Sequence, residues 1–256
     1  MGEHSDAATS TDRAREPSAP EIWSPKRLLA AWERLLRRHG ADEFDRAELR
    51  SFSANPGGEC ALLARQIDAG RYRSGALRPL PQPKGGGGTR LLLVPSLQDR
   101  VIQGAVAHWI ARASDRGFAP ESHAYRAGRS VNSACEQVDL AIAGGAAWVV
   151  DADIRAFFDE VDHHRLIKVL KEQPWWGNRL ASLLRGWLRA EIAPRADAGI
   201  DGPACLCRGL PQGSPLSPVL SNLFLDGLDR ALKAAGIAFV RYADDQVLFA
   251  QDERAA

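Results

Sequence analysis

The sequence predicts an α+β fold, and three observations predict it. Apolar residues recur at helical spacing along most of the chain. Short β-rich runs stand apart from those helices, at 78–95, 146–152 and 237–250. The last run folds back on itself, so its strands are antiparallel and segregated rather than alternating with helices. The chain has 256 residues, 45% hydrophobic and 25% charged. That is ordinary globular composition, with enough apolar mass for one large or two small domains.

Each element has a local cause. Residues 1–22 are mostly Ser, Ala, Glu, Asp and Pro with almost nothing to bury. They read as a disordered tail, 1–23 as a domain unit. Ser24-Pro25 opens a helix as N-cap and first helical residue, and Gly40 follows its end. Leu28, Trp32, Leu35 and Leu36 form its apolar face. A second helical stretch, broken at Asn55-Pro56-Gly57-Gly58, runs to about Gly70. Residues 78–95 read as two strands around Lys84-Gly85-Gly86-Gly87-Gly88-Thr89-Arg90. This is not a Walker loop, because the Lys precedes the glycines. Ser96 and Asp99 fit a capping box. The helix beyond carries Val101, Ile102, Ala105, Val106, Trp109 and Ile110 on one face.

Ser130 starts another helix, with Val131, Ala134, Cys135 and Val138 inward. The apolar run 146–152 reads as a buried strand. Asp162 caps a helix with Leu166, Ile167, Val169 and Leu170. A further helix spans about 178–190. The stretch 193–213, rich in Gly and Pro, reads as loop or irregular hairpin. A long helix covers 215–235, and 237–250 is a hairpin.

Charge is uneven. Residues 24–130 hold 18 basic and 10 acidic side chains, and residues 131–256 hold 13 and 17. A polyanion could lie on the first block while metal ions occupy the second. A solvated surface of uneven charge is the plain alternative. The four cysteines have no zinc-type spacing and read as reduced thiols of a cytoplasmic protein. No apolar run reaches the length of a membrane span, so no membrane partner is expected.

The hairpin carries Tyr242-Ala243-Asp244-Asp245 on its turn. Two adjacent carboxylates repel unless a cation neutralises them. Asp153 ends the apolar run Trp148-Val149-Val150-Asp151-Ala152-Asp153. If the two elements share a sheet, three carboxylates converge, a site for two hard divalent ions of the kind that catalyse phosphoryl transfer. Asp151 and Asp159 read as structural. Gly209-Leu210-Pro211-Gln212-Gly213-Ser214-Pro215-Leu216-Ser217-Pro218 is a turn-rich approach to a helix. Its glycines allow close backbone approach, and Gln212 offers an amide donor and an acceptor.

These blocks resemble a known family. Asp153 to Phe158, Leu210 to Pro218 and Tyr242 to Asp245 match, in order, three signatures of the reverse transcriptases. Ala124-Tyr125-Arg126-Ala127-Gly128-Arg129-Ser130 and Ser96-Leu97-Gln98-Asp99-Arg100 are similar to those of the bacterial group II intron lineage. The likeness covers about residues 75–250. Its wording is closer to the intron form than to retron or diversity-generating enzymes, and it also resembles enzymes associated with CRISPR adaptation modules.

The resemblance implies a right-hand polymerase: a fingers region over 24–140 and an incomplete palm over 141–256, with the thumb absent. It implies RNA-directed DNA synthesis on an RNA template from a DNA or RNA primer with deoxynucleoside triphosphates. Asp153, Asp244 and Asp245, with the carbonyl of Ile154, would bind two Mg²⁺, with Mn²⁺ as the substitute. Phe158 would act as a steric gate against ribose, Gln212 would line the nucleotide pocket, and Lys84 and Arg90 would grip the triphosphate. Tyr242 would lie near the primer end. Arg126 and Arg129 would contact template or stabilise the fingers. The chain ends at Ala256, soon after the hairpin, so a truncated or split enzyme is expected, with an integrase or a thumb-supplying chain as partner. A non-catalytic nucleic-acid-binding or assembly module is the alternative.

Overall fold

The computed structural model describes residues 22–39, 46–83, 85, 88–202 and 204–251. The tail expected over 1–21, Gly40 and Lys84 lie outside the described residues. The core begins earlier than the expected boundary at 23. Ile22 and Trp23 are buried, and the Trp23 indole N–H donates to Asp68 at 2.8 Å.

Helices α1 (Pro25–His39), α2 (Arg46–Ala54) and α3 (Pro56–Asp68) come first, followed by a two-stranded hairpin, β1 (Arg78–Pro83) and β2 (Thr89–Val94). The break between α2 and α3 is a cap: Asn55 accepts from the Gly58 N–H at 3.0 Å, and Pro56 takes a position that needs no donor. Helix α4 (Leu97–Ser114) buries the face expected of it, Val101, Ile102, Val106 and Ile110 above all. Then follow α5 (Val131–Ala143), β3 (Trp148–Asp153), the single turn α6 (Phe157–Glu160), α7 (His163–Lys171) and α8 (Asn178–Leu188). Two-residue strands β4 (Glu191–Ile192) and β5 (Ala204–Cys205) form the irregular hairpin, and α9 (Ser217–Ala234) leads into β6 (Ala238–Tyr242) and β7 (Asp245–Ala250). This is the expected α+β arrangement. Among the described residues no helix is long and apolar enough to cross a membrane.

One apolar core runs through α1, α3, α4, α7, α8 and α9. Asp99 is one of its polar inclusions. The expected capping box forms only by half: the Asp99 N–H donates to Ser96 Oγ at 3.2 Å. The carboxylate, 2% exposed, instead accepts from Ser96 Oγ–H, the Gly75 N–H, Trp187 Nε1–H and the Tyr72 hydroxyl. It thereby ties α4 to α8 and to the segment before β1.

The three-stranded sheet has the order β3-β7-β6, antiparallel throughout. This places β3 on an edge. The run expected to be buried is not: Trp148 is 44% and Val149 48% exposed. Strand length and apolar content are as read, but burial depends on neighbours, and β3 has one. Helix α5 departs similarly. Ala134 is buried, Val138 is half-buried, and Val131 and Cys135 face solvent.

On the other edge, β6 is fixed by charge. Arg241 is fully buried and forms a bidentate pair with Asp229 of α9, at 2.7 and 2.6 Å. Its remaining donors reach Asn222 Oδ1 at 3.1 Å, the Ala243 carbonyl at 2.9 Å and Ser122 Oγ at 2.8 Å. Every edge of the guanidinium is matched, the condition under which a buried ion pair is tolerated. Removing one partner leaves the other charged and dry. Asp229→Ala should therefore cost about 3–5 kcal/mol, lowering the melting temperature by about 10 °C for a chain of this size. The double variant Asp229→Ala, Arg241→Met should lose less than the two single losses added, as read by thermal melts followed by circular dichroism.

Candidate active site

Register brings the acids together. Asp153, last residue of β3, pairs across the sheet with Asp245, first residue of β7. Residues directly opposite in antiparallel strands project from the same face. Tyr242 pairs with Asp245 from the other side, and Ala243-Asp244 closes the turn between them. All three carboxylates therefore gather at one end of the sheet. Asp153 and Asp245 are exposed and Asp244 is half-buried. Burial, then the charges of Asp245 and Asp153, push the Asp244 carboxyl above its ordinary value. The set is oxygen-only and anionic, the donor chemistry of Mg²⁺. The Ile154 carbonyl accepts from the Phe157 N–H at 3.2 Å and keeps a second lone pair. Among the described residues, no three His, Cys, Asp or Glu side chains form a ready-made metal cage.

The segment after β3 and the glycine-rich block lock together. The Leu210 N–H donates to the Phe158 carbonyl at 2.6 Å, and the Gly209 N–H to Val161 at 2.9 Å. Gly209 has φ of +84°, and a Cβ there would meet the Phe158 and Asp159 carbonyl oxygens at 2.8 Å, so only glycine fits. The Phe158 ring is half-buried and sits edge-on against Phe157, centroids 5.4 Å apart. Gln212 Nε2 donates to Asp159 at 3.3 Å, and the Gln212 carbonyl accepts from the Leu93 N–H of β2 at 2.8 Å. The next residue, Gly213 (φ +121°), lies against Leu93 and Val94. The block thus binds the finger-side hairpin to the turn that follows Asp153. Asp159, read as structural, is part of that lock. A buried bond supports it from beneath: Ser214 Oγ–H donates to Gln103 of α4 at 2.8 Å.

The predicted cations divide. Arg90 is exposed on β2 and contacts Gln82, its cross-strand partner, at 3.3 Å. Lys84 lies outside the described residues. Arg126 does not face outward. It donates to the Asp115 carboxylate at 2.8 Å and to the carbonyls of Ala119, Ser122 and Asp115 at 2.7, 2.8 and 3.0 Å, with its guanidinium over the Phe118 ring. Of the two roles the sequence left open, its geometry fits loop stabilisation rather than template contact. Arg129 donates to the Pro120 carbonyl.

Sequence reasoning did not reach the support beneath the acids. Arg241 holds the Ala243 carbonyl, one residue before Asp244, from inside the core. An Arg within an apolar strand is the one signal that was available.

Comparison with known proteins bears on the family of the whole chain. Protein YkfC of Escherichia coli (strain K12) is 30% identical over 178 residues, which are 68% of this chain and 45% of that protein. The group II intron-encoded protein LtrA of Lactococcus lactis subsp. cremoris is 28% identical over 158 residues, 62% of this chain and 25% of that one. Retron Mx162 reverse transcriptase of Myxococcus xanthus is 29% identical over 245 residues, 87% of this chain and 46% of that one. The chain thus spans less than half the length of these relatives. Among solved structures, a chain of a partial Cas6-RT-Cas1–Cas2 complex superposes with a TM-score of 0.52 at 26% identity, covering 91% of this chain and 38% of that one. A profile described as "Reverse transcriptase (RNA-dependent DNA polymerase)" matches residues 82–256, and on that match this chain belongs to the reverse transcriptase family.

Proposed function

We propose that this chain adds deoxynucleotides to a primer 3′-hydroxyl on an RNA template, with Asp153, Asp244 and Asp245 as the ligands of two divalent ions. The observation that carries the reading is the cross-strand pairing of Asp153 with Asp245, with Asp244 on the adjoining turn. Three carboxylates at one strand end repel one another, and a cation would relieve that cost. Bound there, Mg²⁺ supplies Lewis acidity toward the attacking and leaving oxygens. The chain's own residues do the positioning. Asp153 and the Ile154 carbonyl present oxygen from the β3 end, and Asp244 and Asp245 present it from the turn. Phe158, braced by Phe157 and by the Leu210 N–H, offers its ring to the sugar and leaves no room for a 2′-hydroxyl. Gln212, fixed to β2 through its backbone, lines the nucleotide pocket beside it. Arg90, with Lys84, meets the triphosphate, where converging positive charge is needed. The CRISPR-complex and intron relatives suggest a larger assembly, in which an integrase or further polymerase segments are the partners to look for.

The direct experiment is Mg²⁺-dependent primer extension on RNA by the purified chain. Wild type should incorporate deoxynucleotides slowly, and Asp244→Ala with Asp245→Ala should fall to background while still binding RNA. Equal incorporation by both would end the catalytic assignment. Phe158→Val should keep deoxynucleotide incorporation and admit ribonucleotides, read as a fall in the ratio of kcat/KM between dNTP and rNTP.

A stability measurement checks the carboxylate cluster independently. The Asp244 pKa lies above its unfolded value, so ionisation is penalised by folding. That penalty is absent below the ordinary carboxylate range and fully present at neutral pH. In EDTA at pH 7, Asp244→Asn should melt above wild type, and the gap should close on acidification. Mg²⁺ should raise the wild-type melting temperature and leave Asp244→Asn nearly unmoved.

A further inference from the structure

Tyr125 takes no part in the roles described so far, yet the fold holds it in an unusual way. It is 49% exposed, and its φ of +61° lies in the left-handed region that residues with a Cβ avoid. Both neighbours are pinned. Ala124 is buried and its carbonyl accepts from Asn222 Nδ2 at 2.8 Å. Arg126 is anchored by its four bonds into the 115–122 loop. Upstream, the Arg241 N–H donates to the Glu121 carbonyl and the His123 N–H to the Arg241 carbonyl, both at 2.9 Å. Segment 121–123 therefore runs beside β6 as a short parallel extension of the sheet.

The same Asn222 that holds Ala124 accepts from Arg241, and Arg241 holds Ala243. Tyr125 and the acidic turn are thus fixed to one buried frame, side by side. Burial, and then the nearby Asp244, Tyr242 and Asp245, push the Tyr125 hydroxyl above its ordinary value, in keeping with that placement.

The sheet order gives the ring a side. Asp153 and the Phe158–Gln212 lock lie on the β3 side of β7, whereas Tyr125 lies beyond β6. If the nucleotide occupies the β3 side, as proposed above, the strand it joins lies on the β6 side. We propose that Tyr125 is a substrate-contact residue whose ring stacks on the 3′-terminal nucleotide of the primer and holds its hydroxyl over the acids. This inference rests on the polymerase reading. A flat, half-exposed ring suits a contact that must accept every base in turn, since each base presents a π-face. A merely solvated tyrosine gives no return for a strained backbone, and such strain persists where the surroundings impose it, most often at functional sites.

The test uses a primer–template duplex with 2-aminopurine at the primer 3′ end. Wild type should change the emission on binding, and Tyr125→Phe should do the same. Tyr125→Gly should lose most of the emission change and bind the duplex about tenfold more weakly. It should also melt at the same temperature as wild type or higher, because glycine accepts a positive φ freely. Wild-type emission and affinity in Tyr125→Gly would overturn the stacking role. A lower melting temperature together with weaker binding would mark Tyr125 as structural and overturn it too. Wild type that neither binds the duplex nor extends it would overturn the polymerase reading, and this inference with it.

Discussion

The geometry of the site depends on one buried ion pair. Arg241 and Asp229 are both fully shielded from solvent, and a charge in that position is tolerable only if every donor finds an acceptor. The acceptors come from three parts of the chain: Asp229 and Asn222 on α9, Ser122 in the loop before α5, and Ala243 in the hairpin turn. Satisfying one guanidinium therefore fixes the mutual position of a helix, a loop and the turn that bears two of the three acids. A hydrophobic side chain of the same volume would make none of these bonds to the turn, the loop or the helix.

The other half of the site is built differently. On the β3 side, close backbone approach replaces charge. Gly209 and Gly213 let the 209–213 segment lie against the carbonyls of Phe158, Asp159 and Leu93. Backbone bonds at Leu210 and Gln212 then close the contact. The result is a rigid floor that joins β2 to the turn following Asp153. The Gln103–Ser214 bond extends that floor into the helical core. The three acids stand between a charge-fixed hairpin and a glycine-fixed loop, each held from behind rather than by one another. That arrangement keeps carboxylates of like charge close to one another.

What was legible in the sequence follows from range of interaction. Helix faces such as Val101 to Ile110 and caps such as Asp162 are set by residues three or four positions apart, and they read correctly. The hairpin over 237–250 read correctly for the same reason. The burial of β3 did not, because an apolar strand looks the same at an edge as in the middle of a sheet. Asp99 showed its local cap, but its carboxylate is bound by Tyr72, Gly75 and Trp187, as many as 88 residues away. Ile22 and Trp23 looked like the end of a polar tail because their partners lie beyond α1. Arg126 and Tyr125 are adjacent in sequence, yet the first is held inward by the 115–122 segment and the second faces solvent.

Backbone strain marks the site independently of any side-chain chemistry. Among the described residues, the non-glycine residues with positive φ are Tyr125, Ala156 and Ala243. They are far apart in sequence, and each adjoins the acids. Ala156 follows Asp153 by three residues and opens the turn that carries Phe158. Ala243 directly precedes Asp244, and Tyr125 flanks the same turn from beyond β6. Each would be more comfortable as glycine by about 1 kcal/mol. A chain with 23 glycines has placed glycine where a Cβ would collide, at 209, and kept a side chain at three positions where only the dihedral objects. Strain of this kind persists only where the surrounding structure imposes it, and the Arg241 hydrogen-bond frame does so beside Ala243.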